Sequence, residues 1–260
     1  MKRILKYSFF DMIRSRWSIF YFLFFLITSS SLLYMSNDSS RALASLMNIV
    51  IILCPLIGTL FGVMYYYNSK DFIELLLAQP IKRRDIFLGE YFGLAFSIVI
   101  SFIAGITIPF IFYGFGGADT ILNFLTILIA GSILTMAFLA ISFLVAMKNS
   151  NKIKGFGLAI IIWLFMAIIY DGLFLMSLFI FEEYPLETFS LAMTVINPID
   201  LCRTLVMLQL DISALLGYTG AVFNKFFGTS LGIIISLFFS LLWVAGPVWT
   251  ISWQCKAKDF

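Results

Sequence analysis

Six apolar runs, each long enough to cross a bilayer as a helix, follow one another at 17–35, 43–67, 88–113, 121–147, 156–181 and 231–253. A hydrocarbon core of about 30 Å takes roughly 20 helical residues to cross. Backbone polar groups inside it must be satisfied within the structure, which leaves helices or closed barrels. The runs are longer than barrel strands and lack their period-two alternation. The spacing therefore predicts an all-α polytopic membrane protein, one transmembrane unit over residues 1–260. Only 12% of the residues are charged, so little polar sequence remains from which a separate water-soluble domain could be built.

The few basic residues gather at one end of these runs. Lys2, Arg3, Lys6, Arg14, Arg16, Lys70, Lys82, Arg83, Arg84, Lys148, Lys152, Lys154, Lys256 and Lys258 share that end. Arg41, Arg203 and Lys225 fall on the other, together with Asp38, Asp119, Glu182, Glu183, Glu187, Asp200 and Asp211. Positive residues near span ends are retained in the cytoplasm, so both termini are expected there. The net charge of +3 then reflects topology and contact with the lipid bilayer, not nucleic-acid binding. Residues 1–16 pair Ile4, Leu5, Phe9, Phe10, Met12 and Ile13 with basic side chains. That suits an interfacial helix on an anionic leaflet better than a secretory signal, whose basic and apolar regions are shorter.

Several chemistries are excluded. With no histidine in the chain, histidine-dependent intramembrane proteases and zinc proteases lack their base or ligands. Tyr170-Asp171 supplies one half of an aspartyl-protease pattern, but no Gly-x-Gly-Asp accompanies it. No Gly-x-x-x-x-Gly-Lys-Ser/Thr loop is present, so nucleotide energy must come from another polypeptide. The chain is expected to be no enzyme and to carry no cofactor. Cys54, Cys202 and Cys255 are scattered, without a CxxC. Met193, Cys202 and Met207 come nearest to a soft metal site, and flexible packing explains the methionines more simply, so no metal site is assigned.

The stretch "KDFIELLLAQPIKRRDIFLGEY", 70–91, interrupts this apolar sequence. Phe72, Leu75, Leu76 and Gln79 recur at i, i+3, i+4 and i+7, with Asp71 and Glu74 on the flank, which predicts a two-turn amphipathic helix. Asp71 is expected to cap it and Pro80 to stop it, and the run Lys82 to Arg84 to anchor the next span at the headgroups. Pattern alone leaves two readings, a helix resting on the membrane and one offered to a partner. The stretch lies between the second and third of six spans, behind a basic amphipathic N-terminal segment, and resembles the coupling segment of ABC-2 type permeases. The resemblance implies an elbow helix over 1–16 and a cytoplasmic coupling segment over 68–87. It also implies a separate ATPase that binds ATP and magnesium and meets Asp71, Phe72, Glu74, Leu75, Leu76, Gln79, Pro80, Arg83 and Arg84.

Residues 182–230 form an outer segment too long for a simple turn. "NPIDLCRTLVMLQLD" predicts a helix with Asn197 as N-cap, Pro198 at its first position and Asp200 near the positive end of the dipole. Leu201, Leu205 and Leu208 give it an apolar edge, and Asp200 and Arg203 are spaced to pair. On pattern alone it is either a lid over the span ends or a contact surface. "INPIDLCRTL", the following "LGYTGAVF" and "IIYDGLF" in the fifth span resemble the NosY-type permeases of nitrous oxide reductase maturation, with Cys202 where an aromatic residue is expected. This narrower resemblance implies a homodimer in a bacterial inner membrane, a NosF-like ATP-binding subunit and a NosD-like periplasmic β-helical protein meeting Asn197, Pro198, Asp200 and Arg203. The implied work is mechanical: ATP-driven movement is passed to the periplasm for copper-site assembly. An ABC-2 exporter of a lipid, ion or drug shares the coupling segment and is the alternative. Asp171 stands inside the fifth apolar run, where an acid costs about 2.5 to 3.5 kcal/mol, so a cavity, a dimer seam or a polar partner is expected beside it. Pro55 and Pro109 lie within spans and are expected to kink them.

Overall fold

A computed structural model describes residues 1–36, 38–114, 118–181, 187–210 and 230–257. Glu182, Glu183, Asp211, Lys225, Lys258 and the "LGYTGAVF" stretch lie outside the described residues. The regular elements described are helices α1 (Lys2–Ile13), α2 (Arg16–Ser36), α3 (Ser39–Asn68), α4 (Lys70–Leu77), α5 (Arg83–Tyr113) and α6 (Ala118–Lys148). There follow α7 (Lys152–Leu164), a π-helical turn (Phe165–Ile169), α8 (Tyr170–Ile180), α9 (Glu187–Ile196), α10 (Pro198–Gln209) and α11 (Ser230–Ala257). Six segments are long and apolar enough to span a membrane, namely α2, α3, α5, α6, α7 through α8, and α11. The expected six spans are therefore present, and the chain is a multi-pass membrane protein.

The long helices overshoot the bilayer. A helix of 31 residues, as in α5 and α6, reaches about 46 Å, beyond the ~30 Å of hydrocarbon. Helix α3 ends at Asn68 and is followed after Ser69 by α4. Polar caps mark the ends: Asp38 Oδ1 accepts from Ser40 N at 2.9 Å to start α3, and Asn151 Oδ1 accepts from Ile153 N at 2.9 Å to start α7. Tyr67 donates to the Asn149 carbonyl at 2.7 Å, tying the end of α3 to the turn between α6 and α7.

The core is α3 against α6. Gly58 and Gly62 are one turn apart on α3, and a Cβ on Gly58 would lie 2.9 Å from the Thr135 carbonyl oxygen of α6. Two backbones approach this closely only where side chains are absent, which is how apolar helices associate without a hydrophobic drive from lipid. Helix α5 packs against α1, α2, α6 and α11. Tyr91 joins it to α6 by donating to the Met136 carbonyl at 3.0 Å. Pro55 and Pro109 both sit inside continuous helices.

Between the fifth and sixth spans the helix expected from Asn197 onward forms as α10, and α9, which was not expected, precedes it. Helices α9 and α10 meet at a 114° bend at Asn197 and together are apolar enough to count as a broken span or re-entrant pair. Helix α10 packs against α3, α6 and α11, so it enters the bundle and does not lie across its outer face.

Candidate functional site

The amphipathic helix expected between the second and third spans forms there but is shorter and turned differently. Helix α4 runs Lys70–Leu77 with Ser69 before it, so Asp71 lies inside its first turn and makes no cap hydrogen bond there. Helix α3 ends at Asn68, one residue earlier, and the chain therefore has no room for an extended cap at Asp71. Pro80 acts at a distance. The residue before a proline avoids helical geometry, which ends α4 ahead of Gln79, and Ile81 N donates to the Gln79 carbonyl at 2.7 Å in a tight turn about Pro80. Gln79 and Pro80 thus follow the helix, Lys82 precedes α5 without a side-chain cap bond, and Arg83 and Arg84 are exposed in its first turn.

The inward face of α4 is Ile73 and Leu76, 1% and 8% exposed, with Phe72 and Leu77 partly covered. Leu75 points outward, 59% exposed. Asp71, Glu74, Leu75 and Ala78 form the exposed face at i, i+3, i+4 and i+7. The expected apolar face of Phe72, Leu75, Leu76 and Gln79 is therefore corrected by about one residue's rotation. In a two-turn helix four consecutive apolar residues, Leu75 among them, fit either phase. The exposed ridge is one leucine flanked by two carboxylates, and Glu74 is paired with Lys70 at 3.6 Å.

Behind α4 lies a contact chain that the sequence reading missed. Tyr7 of α1 stacks on Phe72 with ring centroids 4.9 Å apart. One residue on, Ser8 donates to Glu90 Oε1 at 2.8 Å, and Glu90 is fully buried on α5. The approach is possible because a Cβ on Gly93 would stand 2.6 Å from Ser8 Cβ and 2.9 Å from the Leu5 carbonyl oxygen. Helix α1 is thus docked on α5 through Ile4, Ser8 and Met12, its buried residues. Phe72, Tyr7, Ser8 and Glu90 thus connect α4 through α1 to the third span. An acid within an apolar run was the available signal, and it was read only at Asp171.

Asp171 has the polar partner expected of it. Arg203 of α10 donates through Nη1 to Asp171 Oδ2 at 2.6 Å and to Asp200 Oδ1 at 3.2 Å. Asn197 Nδ2 donates to Asp200 Oδ2 and to the Met166 carbonyl, each at 2.8 Å, while Asn197 Oδ1 accepts from Ile199 N at 3.1 Å as the N-cap. Met166 lies in the π turn, which breaks the ordinary i to i−4 ladder one turn before Asp171. Tyr170 then donates to the Met193 carbonyl at 2.6 Å, and Trp243 Nε1 to the Val195 carbonyl at 3.2 Å. The fifth and sixth spans thereby hold the bend between α9 and α10 from both sides. Asn197, Pro198 and Asp200 are buried and Arg203 is mostly covered. The side chains expected to face an outer partner are engaged within the chain.

No group of three metal-binding His, Cys, Asp or Glu side chains occurs among the described residues. The Met193 sulfur is 3.6 Å from the Tyr170 hydroxyl, and the Cys202 thiol is 3.9 Å from Ser240 Oγ.

No protein-family model matches the chain. It is similar to a protein of Stutzerimonas stutzeri described as "Probable ABC transporter permease protein NosY", with 25% identity over 219 residues, 74% of this chain and 76% of that one. The resemblance to ABC permeases is therefore carried by most of the chain and not by the coupling segment alone. It supports an ABC transporter permease subunit, with an ATPase supplied by another chain.

Proposed function

We propose that this protein is the membrane subunit through which a NosF-like ATPase drives movement at the outer side of a bacterial inner membrane, in service of copper-site assembly in nitrous oxide reductase. The observation that carries the reading is the exposed Asp71, Glu74, Leu75 face of α4, placed between the second and third spans of a chain similar to a NosY permease over three quarters of its length. At the outer side the α9–α10 bend, bonded to the fifth and sixth spans and packed on α3, α6 and α11, would take up movement of those spans. A NosD-like partner would then read the position of α9 and its flanks, with Asn197, Pro198, Asp200 and Arg203 setting that position from within. A homodimer is supported by the spans themselves: only 11% of the fifth and of the sixth is buried within the chain, against 67% of the fourth. Their apolar outer faces are available to a second copy. ATP and magnesium would stay with the ATPase.

The test uses the chain co-expressed with its ATP-binding subunit. Leu75→Asp should leave the membrane subunit folded, since the position is exposed, and should reduce retained ATPase by at least about tenfold, as loss of an interface anchor does. Undiminished retention would refute the coupling role of α4. The maturation reading has its own readout: cells lacking this chain should accumulate nitrous oxide reductase without its copper sites, and a fully copper-loaded reductase there would refute it.

A further inference from the structure

Between α1, the start of α2 and the end of α3 the structure holds an open cleft of about 1050 Å³. Arg3 and Lys6 of α1 and Arg14 just after it stand along one wall, and Phe10, Trp17 and Met64 supply apolar surface. Asp11 is the single acidic residue lining it, so the cleft carries an excess of two positive charges. Arg3, Lys6 and Arg14 belong to none of the ion pairs among the described residues. Arg14 lies over the Phe10 ring at 5.8 Å, and Phe10 and Trp17 are 43% and 54% exposed.

We propose that this cleft is a binding site for one anionic phospholipid. Three basic side chains on one wall match a phosphodiester headgroup. The aromatic and methionine surface beside them would be wetted by a soluble phosphate but covered by the first carbons of an acyl chain. The cleft is lined by the start of the first span and the end of the second, and Trp17 is of the residue type that settles at the membrane interface. Its volume lies at the upper end of small-molecule pockets, enough for a headgroup and the adjoining glycerol. A lipid seated there would brace α1, whose Tyr7 stacks on Phe72 of the coupling helix. Membrane charge would thereby reach α4. The site stands on its own geometry and does not depend on the ATPase reading.

The experiment is native mass spectrometry of the full chain in mild detergent, titrated with phosphatidylglycerol and with phosphatidylcholine of the same acyl chains. The site predicts preferential retention of phosphatidylglycerol. Lys6→Gln alone, at an exposed position, should weaken it roughly fivefold, the factor per basic residue expected near anionic lipid. The triple Arg3→Gln, Lys6→Gln, Arg14→Gln should weaken it on the order of a hundredfold, while Lys148→Gln, Lys152→Gln, Lys154→Gln, equal in charge at the same end, should not. Equal retention of the two lipids would overturn the proposal. So would equal losses in the two triple variants, which would mean general surface charge, or displacement of the lipid by equimolar glycerol 3-phosphate, which would mean a soluble-phosphate site.

Discussion

Replacing Arg203 by Gln removes the one cation that Asp171 and Asp200 share, at 2.6 and 3.2 Å. Stranding one member of a buried ion pair costs about 3 to 5 kcal/mol. The Asp171 side chain is 33% exposed and that of Arg203 24%, so screening brings the expected loss down to about 2 to 3 kcal/mol. Asp200 is nearly covered and is also stranded, although it keeps its bond from Asn197, so the loss is shared between the pair that joins α8 to α10 and the contact along α10. Adding Asp171→Asn to Arg203→Gln removes the stranded charge and should recover about 1 to 2 kcal/mol. The assay is unfolding of the purified chain in dodecyl maltoside micelles titrated with sodium dodecyl sulfate, followed by circular dichroism. A double variant less stable than Arg203→Gln, or a single variant within about 0.5 kcal/mol of the parent, would refute the reasoning.

Other consequences can be read in the same assay. Ser8→Ala strips Glu90 of its Oε1 donor and should cost about 1 to 3 kcal/mol; Ser8→Thr, which keeps the hydroxyl, should lose clearly less, and equal losses would mean that bulk and not the bond matters. Gly93→Leu drives a side chain into Ser8 and the Leu5 carbonyl. It should release α1 from α5 and open its basic residues to trypsin, whereas unchanged cleavage would contradict the close-approach argument. Asn197→Ala removes both the cap of α10 and the bond to the Met166 carbonyl, with an expected loss of about 1 to 2 kcal/mol, and no loss would show that the bend is held by packing alone.

Much of the architecture was legible because bilayer thickness turns apolar length into helices, and the ends of α2, α3 and α6 fall within a few residues of the expected limits. The α10 cap and the Asp200 to Arg203 contact were legible for a similar reason, since both follow from spacing along one helix. Asp171 called for a partner on cost alone, but nothing in spacing identified Arg203, 32 residues away. The face of α4 was misread because Phe72, Ile73, Leu75, Leu76 and Leu77 satisfy two helical phases, and only the packing on α5 and α1 chooses between them. The break of α9 and α10 escaped notice because its polarity is hidden: Asn197 and Asp200 read as surface residues until Met166 and Arg203 are seen to satisfy them. Glu90 carries the same signal as Asp171, an acid within an apolar run, but its partner Ser8 lies 82 residues away in sequence.

The central claim is that the outward ridge of α4 touches an ATP-binding subunit. A photo-crosslinking amino acid placed at Leu75 in the full chain, in native membranes, tests it directly, with the same group at Ile73, 1% exposed, as the inward control. The account predicts an adduct to an ATP-binding protein from position 75 and none from position 73. Adducts from position 75 to lipid alone would mean that α4 rests on the membrane, and the coupling account would be wrong.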